Sequence, residues 1–254
     1  MKKLFYFICL FFIACGNQQE VNDAKVPASK IDSLKQVVDS PKIVRNIKFD
    51  SVVNPDSIPY HGKLKTAVEW EDANGKNILI ICERPQYFWA DENPSIGKYC
   101  QDDEDSEVAE LFAWHYLFNE KEKKWKVYWH LNDFIFGNSD VEMEYLTGTL
   151  SITDLDHNGI AESIFTYNTS EGDGPIDNGW DGKMILHIDT VKYSLKGPIG
   201  NTSKDLRPDA AKPVFSKNYV QLDSSFTNYS MKMWKRSEIT RDSLYAIFKK
   251  SFGE

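Results

Sequence analysis

The segment Asp154-Leu155-Asp156-His157-Asn158-Gly159-Ile160-Ala161-Glu162 carries the sharpest chemical signal in the chain. Carboxylates or a carboxamide stand at its first, third, fifth and ninth positions, glycine at the sixth, and the Ile160 carbonyl at the seventh. Calcium takes roughly six to eight hard oxygen ligands at about 2.3–2.6 Å, and this alternation turns every second side chain toward one centre. Gly159 permits the sharp turn that brings the Ile160 carbonyl round. The expected calcium ligands are therefore Asp154, Asp156, Asn158 and Glu162 through side chains and Ile160 through its carbonyl. Leu155 and Ala161 would face the protein and His157 the solvent. An EF-hand is excluded, because Phe165 stands where its bidentate glutamate belongs and Ile164-Phe165-Thr166-Tyr167 reads as a strand. The competing reading is an ordinary turn, since Asp and Asn before glycine also bond their own backbone.

Other concentrations of chemistry-bearing residues fit no template. The stretch from Glu171 to Gly182 is dense in acids and glycine, and the readings open to it are extra ligands, a second ion, a ligand-binding lip or a solvated loop. Asp102-Asp103-Glu104-Asp105 reads as a solvated edge. The chain lacks His-Glu-x-x-His, Gly-x-Ser-x-Gly, a phosphate-cradling glycine loop and a dinucleotide fingerprint. His115 and His130 lie among Trp114, Tyr116 and Trp129, where a buried or half-buried histidine is commoner than a base, and Asp133 is a candidate partner for either. No catalytic residue is assigned. A carboxylate pair for glycoside hydrolysis stays open, because its separation is spatial and not sequential.

The elements that must hold the loop read as successive hairpins. Leu64–Trp70 and Asn77–Cys82 flank Asp72-Ala73-Asn74-Gly75, and 110–117 and 125–130 flank a charged tip at 119–124. Residues 147–152 and 161–167 surround the Asp-rich loop, and 183–188 and 191–195 surround Asp189-Thr190. The pattern predicts a mainly β domain, an antiparallel meander folded into a sandwich or curled sheet. A C-terminal helix is expected from Thr240-Arg241-Asp242-Ser243 onward, with Leu244, Ile247, Phe248 and Phe252 on its apolar face.

The chain opens with Lys2 and Lys3 and then eleven apolar residues, Leu4 to Ala14, too short for a spanning helix of roughly 20 residues. Residues 1–14 are expected to be a cleaved signal peptide. Without its two lysines the formal charge of −8 becomes −10, which repels phosphate backbones, and nucleic acid is excluded as a partner. Residues 15–45 read as a polar tether with a short amphipathic helix at 29–38, and 46–254 as one β-rich extracytoplasmic domain. Seven Trp and twelve Tyr suit both a β-rich core and a carbohydrate-binding surface. Of the cysteines left after cleavage, Cys82 and Cys100 are expected to form a disulfide in an oxidising compartment, the alternative being two thiols.

Phe12-Ile13-Ala14-Cys15-Gly16 resembles the bacterial lipobox, which implies lipidation of Cys15; Gly16, where an aspartate would signal inner-membrane retention, favours the outer membrane, at its periplasmic face or the cell surface. Asp32-Ser33-Leu34, Asp50-Ser51-Val52 and Asp56-Ser57-Ile58 resemble the Asp-Ser-aliphatic O-glycosylation sequon of Bacteroidetes, the alternative being chance in a Ser/Asp-rich linker. The nine-residue loop is similar to the calcium loop of FG-GAP repeats, yet it occurs once with no copy at a period of about 40–60 residues, so a propeller is unsupported. Residues 152–167, with 183–186 and 192–197, resemble Bacteroidetes envelope proteins labelled surface polysaccharide biosynthesis proteins. That resemblance implies a role at capsule or lipopolysaccharide and no reaction. The leading reading is a calcium-stabilised, non-enzymatic lipoprotein that binds a glycan or an envelope protein. The rivals are a glycan hydrolase with structural calcium and a protein-binding scaffold.

Overall fold

The computed structural model describes residues 43–46, 61–88, 107–137, 140–171, 180–200, 203, 205 and 212–251. The signal segment, Cys15, the tether helix at 29–38, the three Asp-Ser-aliphatic tripeptides, Cys100, the 102–105 acids and most of the 171–182 loop lie outside them.

Among the described residues, eleven strands form two antiparallel sheets. The first holds β1 (Ile43–Asn46), β2 (Lys63–Asp72), β3 (Gly75–Phe88), β4 (Glu107–Asn119) and β5 (Lys124–Gly137), in that order. The second is ordered β11 (Val214–Phe215), β10 (Val191–Ile199), β9 (Trp180–Ile188), β8 (Glu162–Ser170) and β6 (Glu142–Tyr145), with β7 (Ser151–Thr153) also paired to β8. A 3-10 turn (Lys217–Gln221) leads into the helix α1 (Ser224–Ser251). No helix among the described residues is long and apolar enough to cross a membrane.

The sheets face each other across one core. Leu79, Ile81, Leu111, Trp129 and Leu131 of the first sheet meet Tyr145, Phe165, Tyr167 and Ile185 of the second. Each such side chain, fully buried, contributes about 1.5–3 kcal/mol. The other face of the second sheet carries Ile164, Met184, Leu186, Leu195 and Ile199, covered by Phe226, Met233 and Trp234 of α1. The first sheet is apolar on both faces, since Ala67, Ile78, Ile80, Cys82 and Phe112 form a third cluster behind it. That is why Ile78-Leu79-Ile80-Ile81-Cys82 runs without alternation: the side chains on both faces of β3 are buried.

The hairpins form where the sequence places them, with three corrections. Thr147–Leu150 is a turn and not a strand, because Thr149, fully buried, bonds the Leu146 carbonyl at 2.6 Å. β6 and β7 then pair with opposite ends of β8. The helix begins at Ser224, with the Asp223 carboxylate accepting the Ser225 N–H at 2.8 Å, and not near Thr240. Its buried stripe includes Ser230, Ser237 and Arg241, polar residues that hide the period; Ser237 Oγ donates to Thr166 Oγ1 at 2.8 Å. Ile247 is 65 % exposed and leaves the expected apolar face. Finally, Cys82 is a free thiol and no disulfide is present among the described residues. Its side chain is fully buried in mid-strand, and burial, then Glu83, push the thiol up to about 12, which suppresses the thiolate that exchange requires.

Candidate metal centre

The loop between β7 and β8 brings three of the expected ligands together. One oxygen each from Asp154, Asp156 and Glu162 lies within 4.8 Å of the others. β8 fixes Glu162, which is 2 % exposed, at its first residue, and the end of β7 fixes Asp154, which is 8 % exposed; Asp156 reaches out to solvent. The turn is held from within. Asp154 accepts the N–H groups of Asn158 and Gly159, both at 3.0 Å, and Glu162 Oε2 accepts that of Leu155 at 2.6 Å. His157 and Gly159 adopt positive φ of 60° and 87°, so glycine at the sixth position serves a left-handed backbone.

Of the other two expected ligands, Asn158 is engaged locally. Asn158 Oδ1 accepts the Ile160 N–H at 2.7 Å, and Asn158 Nδ2 donates to Asp156 Oδ2 at 3.0 Å. The Asn158 oxygen thus closes a turn on its own backbone. Leu155 packs into the helix-side core and Ala161 is 8 % exposed, while His157 is exposed, as the alternation requires.

Electrostatically the site asks for a cation. Burial raises the Glu162 carboxyl to about 7, and the carboxylates of Asp156 and Asp154 push it the same way. The trio consists only of hard oxygen donors, a set that fits a divalent hard cation. A buried acidic cluster able to hold a metal ion is therefore present.

Residues far away in sequence brace this loop. Ala73 N–H donates to the Gly159 carbonyl at 2.8 Å, and Asp72 Oδ2 accepts both Ala161 N–H at 3.2 Å and Trp70 Nε1–H at 2.8 Å. The turn between β2 and β3 is thus docked on the acidic loop. Sequence reasoning saw Asp72 only as a turn residue, and nothing local marks its contact across the sandwich. Beside Trp70 lies an aromatic stack in which His115 meets Trp70 at 4.9 Å and His187 lies flat on Trp129 at 3.6 Å. His115 Nε2–H donates to Asn77 Oδ1 at 2.9 Å in the neutral tautomer. Burial lowers both histidines to about 3, which makes them packing groups, as expected for His115; His130 is exposed. Asp133 pairs with neither histidine. It accepts from Lys183 and from the Tyr167 hydroxyl, because the inner face of the second sheet brings both beneath β5.

The chain matches no family model, no curated protein and no solved structure. Its functional reading therefore rests on its own residues.

Proposed function

We propose that this chain is a lipid-anchored envelope protein whose β sandwich is stabilised by calcium and which acts by binding, in support of surface polysaccharide, rather than by catalysis. The observation that carries the calcium part is the convergence of Asp154, Asp156 and Glu162 on a loop that also docks the turn between β2 and β3. An ion there offsets repulsion among the carboxylates and locks two distant hairpins together. The anchor is supported by the apolar run ending at Ala14-Cys15. The polysaccharide link is supported by the resemblance carried by residues 152–167, 183–186 and 192–197, and the binding role by the aromatic and acidic composition.

Thermal unfolding in EDTA and then in graded calcium tests the ion. A ligand at 100 times its Kd, bound only to the native state, stabilises by about 2.7 kcal/mol. For a domain of this size that raises Tm by about 5–10 °C. Asp156→Asn removes the exposed charge while keeping an acceptor for the Asn158 N–H, so it should abolish most of the rise at little cost in EDTA. A Tm indifferent to calcium would reduce the segment to a turn held by its own hydrogen bonds. The anchor is tested by labelling cells with a clickable fatty acid: the wild-type chain should take the label and Cys15→Ala should lose it. Equal labelling of the two would remove Cys15 as the lipidated residue.

A further inference from the structure

A second site lies between the edge strand β5 and the inner face of the second sheet. It is a cleft of about 470 Å³, within the range of small-molecule sites. Two cross-strand rows form its floor. One runs Tyr167, Lys183, Lys196, Val214 across β8 to β11, and the other places Met143, Thr169 and Asp181 side by side. Asp133 and Ile135 come down from β5 as the wall.

The charge pattern of the first row is unusual. Lys183 and Lys196 stand directly opposite each other on adjacent strands, in a chain whose formal net charge is −8. Directly opposed like charges destabilise a sheet. Lys183 is answered by Asp133, which also takes the Tyr167 hydroxyl, so that part of the floor is closed. Lys196 is not answered: it is exposed at the cleft and makes no ion pair among the described residues. Its neighbour in the row, Val214, is 70 % exposed. The cleft therefore offers one open ammonium and the Thr169 hydroxyl as polar partners, and Ile135, Met143 and Val214 as apolar surface.

That set discriminates among ligand classes. A phosphate or sulfate brings more charge than one lysine can meet. A neutral sugar leaves Lys196 uncompensated. A single carboxylate on a ring with hydroxyls and an apolar face matches one ammonium, one hydroxyl and three apolar side chains. We propose that this cleft binds a carboxylated saccharide, a uronic-acid unit, with its carboxylate on Lys196. The proposal rests on the polysaccharide-binding reading above and gives that reading a site and a ligand chemistry.

The test is calorimetric titration of the full chain in detergent micelles, with EDTA throughout so that calcium cannot bridge protein and probe. The probes are trigalacturonate, the neutral maltotriose, and acetate. Trigalacturonate is expected to bind at least tenfold more tightly than either of the others. Losing a charge-assisted hydrogen bond corresponds to roughly ten- to a hundredfold in affinity, so Lys196→Gln should weaken trigalacturonate by at least tenfold. Val214→Glu places a carboxylate opposite Lys196 at an exposed position and should abolish the binding, with an unchanged melting profile as the control for folding. Trigalacturonate binding indifferent to both variants would overturn the cleft and leave the polysaccharide reading standing. Preference for maltotriose would overturn the acidic ligand alone, and acetate binding as tightly as trigalacturonate would overturn the saccharide. Heat from none of the three probes would overturn the cleft proposal and remove the support it lends to the wider reading.

Discussion

Asp133→Ala is expected to destabilise the domain by about 3 kcal/mol, measured as a drop in the urea midpoint at unchanged slope. The carboxylate is the shared acceptor for Lys183 and Tyr167, and its side chain and that of Lys183 are only 22 % and 18 % exposed. Burial works against the charged form of Asp133, but the hydrogen bonds from Lys183 and Tyr167 together hold its carboxyl below the usual range. Without it an ammonium and a buried phenol lose their partner at once, and the two opposed lysines of β9 and β10 face each other unscreened. Residual solvent access keeps the effect below that of a fully buried broken pair. Adding Lys183→Met to the alanine variant should recover more than half of the loss, because it removes the stranded charge and leaves an apolar stem of similar length. A single variant within 0.5 kcal/mol of wild type, on the order of an ordinary surface substitution, would show that the network contributes nothing.

The second large effect is loss of stability in acid. His115 and His187 are held neutral by burial, at about 3 against an ordinary value of 6.5, and the Nδ1 atoms of both rings have no hydrogen-bond partner. Their folded values lie below the unfolded one, so unfolding takes up protons. The stability they contribute is complete above about pH 6.5 and falls as the pH drops toward 3. Each ring supplies a slope of up to about 1.4 kcal/mol per pH unit in that window. Glu162 acts with the opposite sign, since its raised value stabilises the protonated, low-pH form. The clean measurement is therefore a difference between proteins across pH. His187→Phe keeps a flat ring on Trp129 and removes the titrating nitrogens. Between pH 7 and 5 it should lose about 1–2 kcal/mol less than wild type. Parallel stability curves for the two proteins would mean that His187 is not held neutral by the fold.

The sequence carried the local features of this protein because they are local in cause. Apolar runs broken by Asp72-Ala73-Asn74-Gly75 or Asp189-Thr190 make hairpins through backbone preferences of the turn residues, and both turns form as expected. The spacing of Asp154, Asp156 and Glu162 likewise sets their convergence, since alternation over nine residues needs no distant partner. Asn158 was placed correctly in the loop, but its oxygen turns to the Ile160 N–H, a choice made by loop curvature rather than by residue type.

What tertiary structure decided is everything that depends on one sheet lying over another. Asp72 becomes a brace for the acidic loop only because the turn between β2 and β3 arrives above Gly159. Asp133 finds Lys183 and Tyr167, 50 and 34 residues away, only because β5 crosses the inner face of the second sheet. The stretch of α1 before Thr240, from Ser224 onward, was invisible as a helix, since Ser230 and Ser237 are core positions only against the Tyr219 hydroxyl and the Thr166 hydroxyl of the second sheet. The same holds for Cys82: an oxidising compartment suggested a bridge, but its packing among Ala67, Ile78, Ile80 and Phe112 leaves that thiol buried and free. Periodicity reports which side of an element is apolar; it cannot report which other element comes to rest there.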